Sequence, residues 1–212
     1  MIQLTTFVFN AFSENTYIVW DETHECVIID PGCYDPSEQQ KLTSFIASHG
    51  LKPVKLLNTH CHIDHVLGNE FVCATYKIPL YMHKDELFTY NAISQWTAMF
   101  GLNTQSIPEN KVFITEQDTI RFGNTELLIA FTPGHSIASV TFYHPGQRFA
   151  FVGDVLFRES IGRTDLPGGN YETLISSIKQ KLFLFDDSTL VYSGHGPETT
   201  IGYERKNNPF LQ

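Results

Sequence analysis

Seven consecutive residues, Thr59-His60-Cys61-His62-Ile63-Asp64-His65, carry three imidazoles and one carboxylate within six positions. Neutral imidazole nitrogen and carboxylate oxygen are ligands for first-row metals, so this density points to metal chemistry. The run follows Val54-Lys55-Leu56-Leu57-Asn58, a short apolar stretch that reads as a buried strand. Side chains alternate along an extended segment, so His60, His62 and Asp64 are expected to share a face, with Cys61 turned away. His65 then needs a local turn, and Val66-Leu67-Gly68 is a place for a helix to begin.

Three further apolar runs end in the same way. Leu127 to Phe131 leads into Thr132-Pro133-Gly134-His135, Phe149 to Val152 into Gly153-Asp154, and Leu190 to Ser193 into Gly194-His195-Gly196. Ligands beyond the carboxyl ends of several buried strands are the pattern of an α/β site. Asp30, in the Asp30-Pro31-Gly32 turn after Cys26 to Ile29, is either turn chemistry or a carboxylate that steadies a ligand histidine.

The elements that must position these groups follow from pattern. Ile2 to Asn10 and Thr16 to Trp20 read as a hairpin pair. Asp35, Pro36 and Glu38 mark a capped helix start, with Leu42, Phe45, Ile46 and His49 on one face and Gly50 past its end. Asn69 to Lys77 reads as a short helix, Ile78 to Met82 as a strand, and Lys84 to Phe100 as helical. Gly101 to Asn110 reads as a polar loop. Strands are expected at Thr119 to Phe122, Glu126 to Phe131, Ala138 to Tyr143, Phe149 to Val152 and Leu190 to Ser193. Tyr171 to Phe183 reads as an amphipathic helix, and a short helix is expected between Glu198 and Asn207. Val155 to Asn170, holding Arg158 and Arg163, is a long loop leaving Asp154 directly and so is expected to contact substrate.

The 212 residues predict one domain, 1–212, with a core of its own. A formal charge of −9 argues against binding nucleic acid or anionic membrane. No apolar stretch is long enough to span a bilayer. The four cysteines form no Cys-x-x-Cys pair, and Met1 to Asn10 has no leader character, which together predict a reduced, cytoplasmic setting. His24, His49, His83 and His144 are expected outside the site.

The motif His60-x-His62-x-Asp64-His65, followed by His135, Asp154 and His195, resembles the metallo-β-lactamase superfamily and covers nearly the whole chain in order. Gly162-Arg163-Thr164-Asp165-Leu166-Pro167-Gly168-Gly169 and the ending Asn208-Pro209-Phe210-Leu211 resemble the short bacterial glyoxalase II-like hydrolases, without the helical C-terminal extension of longer enzymes. The resemblance implies an α/β (α+β) fold, a four-layer αββα sandwich. It implies two divalent ions, zinc first, with iron or manganese permitted by all-N/O ligation. His60, His62 and His135 would hold one ion, Asp64, His65 and His195 the other, with Asp154 bridging. The implied reaction is cleavage of a small-molecule thioester such as S-lactoylglutathione by a hydroxide held between the ions. Asp64 and Asp154 would serve that chemistry, and Arg163 or Arg158 would contact substrate. An iron-dependent persulfide dioxygenase of the same fold is the alternative, although its last-ligand region usually departs from Gly194-His195-Gly196-Pro197. A metal-binding module without activity is the third reading. Oligomeric state is open.

Overall fold

The computed structural model describes residues 1–103 and 106–212. The first half builds a sheet from β1 (Gln3–Phe9), β2 (Glu14–Trp20), β3 (Glu25–Ile29), β4 (Lys52–Leu57), β5 (Leu80–His83) and β6 (Lys111–Ile114), in that spatial order. The first three strands run antiparallel as a meander; β3 to β6 are parallel, because helices carry each crossover. The second sheet uses β7 (Thr119–Phe122), β8 (Thr125–Phe131), β9 (Val140–His144), β10 (Phe149–Gly153), β13 (Leu190–Ser193) and β14 (Thr199–Thr200), ordered β14-β13-β10-β9-β8-β7. Between β10 and β13 lies a small hairpin of β11 (Leu156–Phe157) and β12 (Ser160–Ile161).

Period-two alternation decides the layers. Along β2 and β3, Tyr17, Val19, Val27 and Ile29 point to one side and pack with Ile129, Phe142 and Phe151 of the second sheet. Their neighbours Ile18, Trp20, Cys26 and Ile28 point to the other side and bury Leu42 and Ile46 of α1 (Pro36–Ser48). On the far face of the second sheet, Ala150, Val152 and Val191 pack against Leu174 and Ile178 of α6 (Tyr171–Gln180). Two sheets face to face with helices outside is the αββα sandwich that the family resemblance implies.

Helix α1 starts as its sequence dictates. Asp35 accepts from the Ser37 and Glu38 amides, and Glu38 reaches back to the Asp35 amide, completing the capping box. Elsewhere the elements differ in detail. Lys84 to Phe100 is not one helix but a 3₁₀ turn at Lys84–Glu86, then α4 (Leu87–Asn91) and α5 (Ile93–Met99). Strand β6 falls where no strand is expected; it pairs in parallel with β5 at the sheet edge, and its central residues Val112 and Phe113 are exposed. Thr104 and Gln105, within the expected polar loop, lie outside the described residues. The Val155-to-Asn170 loop contains the β11–β12 hairpin, and α7 (Ile201–Asn207) fills the expected short helix. Among the described residues no helix is long and apolar enough to cross a membrane.

At one end of the sandwich Asp21 ties the sheets together. Its buried carboxylate accepts from Thr23 N and Oγ1, Asn124 N and Thr125 Oγ1, so one side chain joins the β2–β3 turn to the β7–β8 turn. Burial pushes its pKa up, but these hydrogen bonds win and hold the carboxyl below its ordinary value. The Asp21→Ala change strands those donors and should cost about 2–4 kcal/mol at pH 7, read by denaturant unfolding. A depressed folded pKa stabilises above the unfolded value of about 3.9, so wild type and variant should converge as pH falls below it.

Candidate metal centre

Four strand ends meet at the other end of the sandwich. Past β4, the loop Asn58–His62 leads into α2 (Ile63–Val66), a single turn that His62 precedes with extended backbone. The expectation that His60, His62 and Asp64 share one face is therefore corrected: the chain turns helical at Ile63, so Asp64 and His65 swing away from His62. β8 delivers His135, β10 delivers Asp154, and β13 delivers His195.

The side chains fall into two groups whose ligand atoms lie within 4.8 Å of one another: His60, His62 and His135, and Asp64, His65 and His195. In the first, His62 Nδ1 is 2.8 Å from His135 Nε2, with His60 set edge-on to both rings. In the second, His195 Nε2 is 3.0 Å from Asp64 Oδ2, and His65 Nε2 is 3.5 Å from it. Asp154 stands between them. Its Oδ1 is 3.4 Å from His65 Nε2, and its Oδ2 is 3.5 Å from His195 Nε2 and 3.6 Å from His135 Nε2.

The outer ring nitrogens of His60, His65, His135 and His195 are engaged, which aims the inner ones at the centre. His135 Nδ1 meets the Arg163 carbonyl at 2.8 Å, and His195 Nδ1 meets the Ser13 carbonyl at 3.2 Å. His65 Nδ1 is 3.2 Å from Asp30 Oδ2, and His60 Nδ1 is 3.1 Å from Thr59 Oγ1, which itself donates to Asp30 Oδ2. Asp30 thus steadies one histidine in each group. It also accepts from the Thr59 amide and Asn58 Nδ2, so its oxygens are spent on support.

A metal pair fits this arrangement. His60 Nε2, His65 Nε2 and Asp154 Oδ1 are buried without a hydrogen-bond partner, a cost a native fold rarely carries unless another ligand satisfies the atoms. Burial holds His60 well below the ordinary imidazole range and takes His62 down to about 3, leaving both neutral and able to ligate. Burial also disfavours charge on His65 and His195, but here the carboxylates overcome it. His65 is raised well above its usual value by Asp64 and Asp154, and His195 is pushed up to about 10 by its hydrogen bonds to them. A cation is what this corner attracts, and a bound metal would take the place of those protons.

Several site residues were not legible in the sequence. Glu86, fully buried in the turn after β5, accepts from Cys61 N at 2.8 Å, Ser136 Oγ at 2.5 Å and Ala138 N at 2.9 Å. It clamps the His60–His62 loop to the His135 loop. Asn15 donates to the Ser193 and Gly196 carbonyls, and its amide donates to the Gly194 carbonyl, pinning the His195 turn to β2. Glu14 is buried beside His65 Nδ1 at 3.9 Å, and burial raises its carboxyl well above the ordinary range. An acid in a helix start and an amide in a strand carry no local signature of such roles.

Of the candidate substrate contacts, Arg163 borders the centre but its guanidinium is held by Asp165 through two 2.7 Å bonds. Arg158 stacks over the Tyr203 ring at 5.0 Å, beside a cleft that reaches His135, Asp154 and His195. The four remaining histidines lie elsewhere: His24 in the β2–β3 turn, His49 stacked on Phe45 at the end of α1, His83 capping the 3₁₀ turn, and His144 in the β9–β10 turn. Cys61 is buried under the first sheet, as alternation predicts.

Gly194 has no room for a side chain. A Cβ there would sit 2.1 Å from Asp154 Oδ1 and 2.6 Å from His65 Cε1. The Gly194→Ala change should displace both groups and weaken metal affinity at least tenfold, the scale of losing a ligand's supporting contact. Metal content after dialysis would show it; full retention would contradict the packing described.

A sequence model of the metallo-beta-lactamase superfamily matches residues 10–195. Hydroxyacylglutathione hydrolase GloC of Haemophilus influenzae is 35% identical over 203 residues, 95% of this chain and 94% of that one. Among solved structures, BLEG-1 B3 metallo-beta-lactamase superposes with a TM-score of 0.89 at 34% identity, covering 99% of this chain and all of its own. TTHA1623 in a di-iron-bound form superposes with a TM-score of 0.87 at 34% identity, covering 98% of this chain and all of its own.

Proposed function

This chain belongs to the metallo-beta-lactamase superfamily, and from that premise we propose that it is a binuclear metal-dependent hydrolase cleaving thioesters, S-lactoylglutathione among them. The observation that carries the reading is Asp154, whose carboxylate spans two three-residue ligand groups with buried, partnerless nitrogens. The chain's likeness to GloC, a hydroxyacylglutathione hydrolase, supports a thioester substrate.

Two divalent ions, zinc first and iron or manganese as substitutes, would supply Lewis acidity and a water acidified toward a pKa of about 7. His60, His62 and His135 would hold one ion, and Asp64, His65 and His195 the other. The protein holds these ligands rigidly: Asp30 fixes His65 directly and His60 through Thr59, and the Arg163 carbonyl fixes His135. Asp154, between the groups, sets their spacing. In the overall reaction an oxygen from water joins the acyl carbon, the C–S bond breaks, and the sulfur leaves with the electron pair to become a thiol. Arg158 and Arg163, at the cleft beside the centre, attract an anionic thiol such as glutathione. The Arg163–Asp165 pair is exposed and weak in water, so a ligand carboxylate can displace Asp165.

With a thiol product, the reading carries a reducing, cytoplasmic setting, to which four unpaired cysteines are suited. In this reading residues 1–212 act as one domain. Thiol release from S-lactoylglutathione by metal-loaded protein tests the reading, with turnover expected. Oxygen uptake with glutathione persulfide and no thiol release would replace it with the dioxygenase. Turnover of a β-lactam alone would move the substrate class, and turnover of none would leave a binding module.

A further inference from the structure

Two cavities open on the metal centre, and their walls differ. The first, of 410 Å³, is lined beyond the centre by Phe12, Ile63, Ile93, Trp96, Phe100 and Leu166. The second, of 430 Å³, includes Arg158, Ser160 and Arg163. Both reach His135, Asp154 and His195. A thioester is also two-sided about its reacting carbon, with an acyl half and a thiol half.

We propose that the Trp96–Phe100 cavity receives the acyl half of the substrate, and that the preferred acyl group is apolar and larger than lactoyl. The inference rests on the thioesterase reading and adds to it the substrate class. Three observations carry it. Arg158 lines only the second cavity, and an anionic thiol belongs beside it, which leaves the aromatic cavity to the acyl group. The only charged side chain in that wall outside the centre is Arg163, itself shared with the other cavity and paired to Asp165. The space matches pockets for much larger ligands than a three-carbon acyl chain.

The wall also shows unfilled apolar surface. Phe100 is 49% exposed although it meets Phe12 edge-to-face at 5.2 Å, and Met99 beside it is 65% exposed. Trp96 of α5 and Phe100 just past its end thus present rings to the cavity. Each methylene moved from water into such a wall tightens binding about fourfold.

The test uses thioethers of one thiol, which cannot be hydrolysed. Calorimetry on metal-loaded protein compares S-hexylglutathione with S-methylglutathione. The hexyl compound should bind at least ten times tighter, and the ratio should fall at least threefold in Trp96→Ala and in Phe100→Ala. Phe100 is half exposed, so its variant keeps the test valid if Trp96→Ala fails to fold. In parallel, kcat/KM for S-hexanoylglutathione should exceed that for S-acetylglutathione by a similar factor. Equal affinities, no binding of either thioether, or a ratio untouched by Phe100→Ala would overturn the proposal. Failure of the thioesterase reading would show separately, as no thiol release from either thioester despite bound metal and a preserved hexyl preference.

Discussion

Asp154→Ala protein should fold, bind fewer than two ions per chain and, under the proposed thioesterase function, release thiol at least about 10²–10³ times more slowly than wild type. The size of the effect follows from position. Asp154 is the one carboxylate within 3.6 Å of ring nitrogens from both ligand groups, facing His65 on one oxygen and His135 and His195 on the other. Burial disfavours its charge, yet His65, His195 and His135 overcome that penalty and hold its carboxyl well below the ordinary range. The side chain is therefore a fixed negative charge between two groups of neutral or cationic rings. Without it, the site loses both a ligand and the charge that offsets a second cation. Asp154→Asn keeps the volume but removes the charge, so its metal content should be intermediate. Elemental analysis and thiol-release rates check the prediction, with the melting temperature of metal-free protein separating loss of site from loss of fold. Two ions and wild-type turnover in Asp154→Ala would remove Asp154 from the centre.

The second large effect is expected away from the ligands, at Glu86. Its carboxylate gathers donors from both sides of the first ligand group: Cys61 N between His60 and His62, and Ser136 Oγ and Ala138 N just after His135. Truncation strands three buried donors, each costing about 1–3 kcal/mol, so Glu86→Ala should lose about 3 kcal/mol or more of stability. It should also lower metal affinity about 10–100-fold, because the two loops then lose their common anchor. Glu86→Gln can still accept from Ser136 and Ala138, but it turns an amide toward the Cys61 N–H, where an acceptor is needed. An intermediate loss is expected there. Denaturant midpoints and metal titration of the three proteins make the comparison, and unchanged metal affinity in Glu86→Ala would show that the loops hold themselves.

The candidate ligands stood out because metal chemistry demands rare residue types at strand ends, and the fold brings His60, His62, His135 and His195 to one end of the sandwich. Alternation in β2 and β3 and the Asp35–Glu38 capping box were legible for the same kind of reason: the signal is local. What the sequence concealed depends on tertiary context. The helical turn at Ile63, which separates Asp64 and His65 from His62, lies in a stretch where alternation favours an extended reading. Exposed β6 has too little apolar pattern to announce itself, and its pairing with β5 decides it. Glu86 and Asn15 are ordinary residues whose partners lie 52 and 181 positions away at the far contact. Arg163 was visible as a charge, but not its capture by Asp165 or the use of its carbonyl by His135.

The central claim is that these seven residues hold a pair of ions. Equilibrium titration of metal-free protein with zinc, followed by elemental analysis, tests it most directly. Two ions per chain are expected for wild type and a lower count for Asp154→Ala. Saturation at one ion, unchanged by Asp154→Ala, would contradict a bridged pair and leave a mononuclear site in its place.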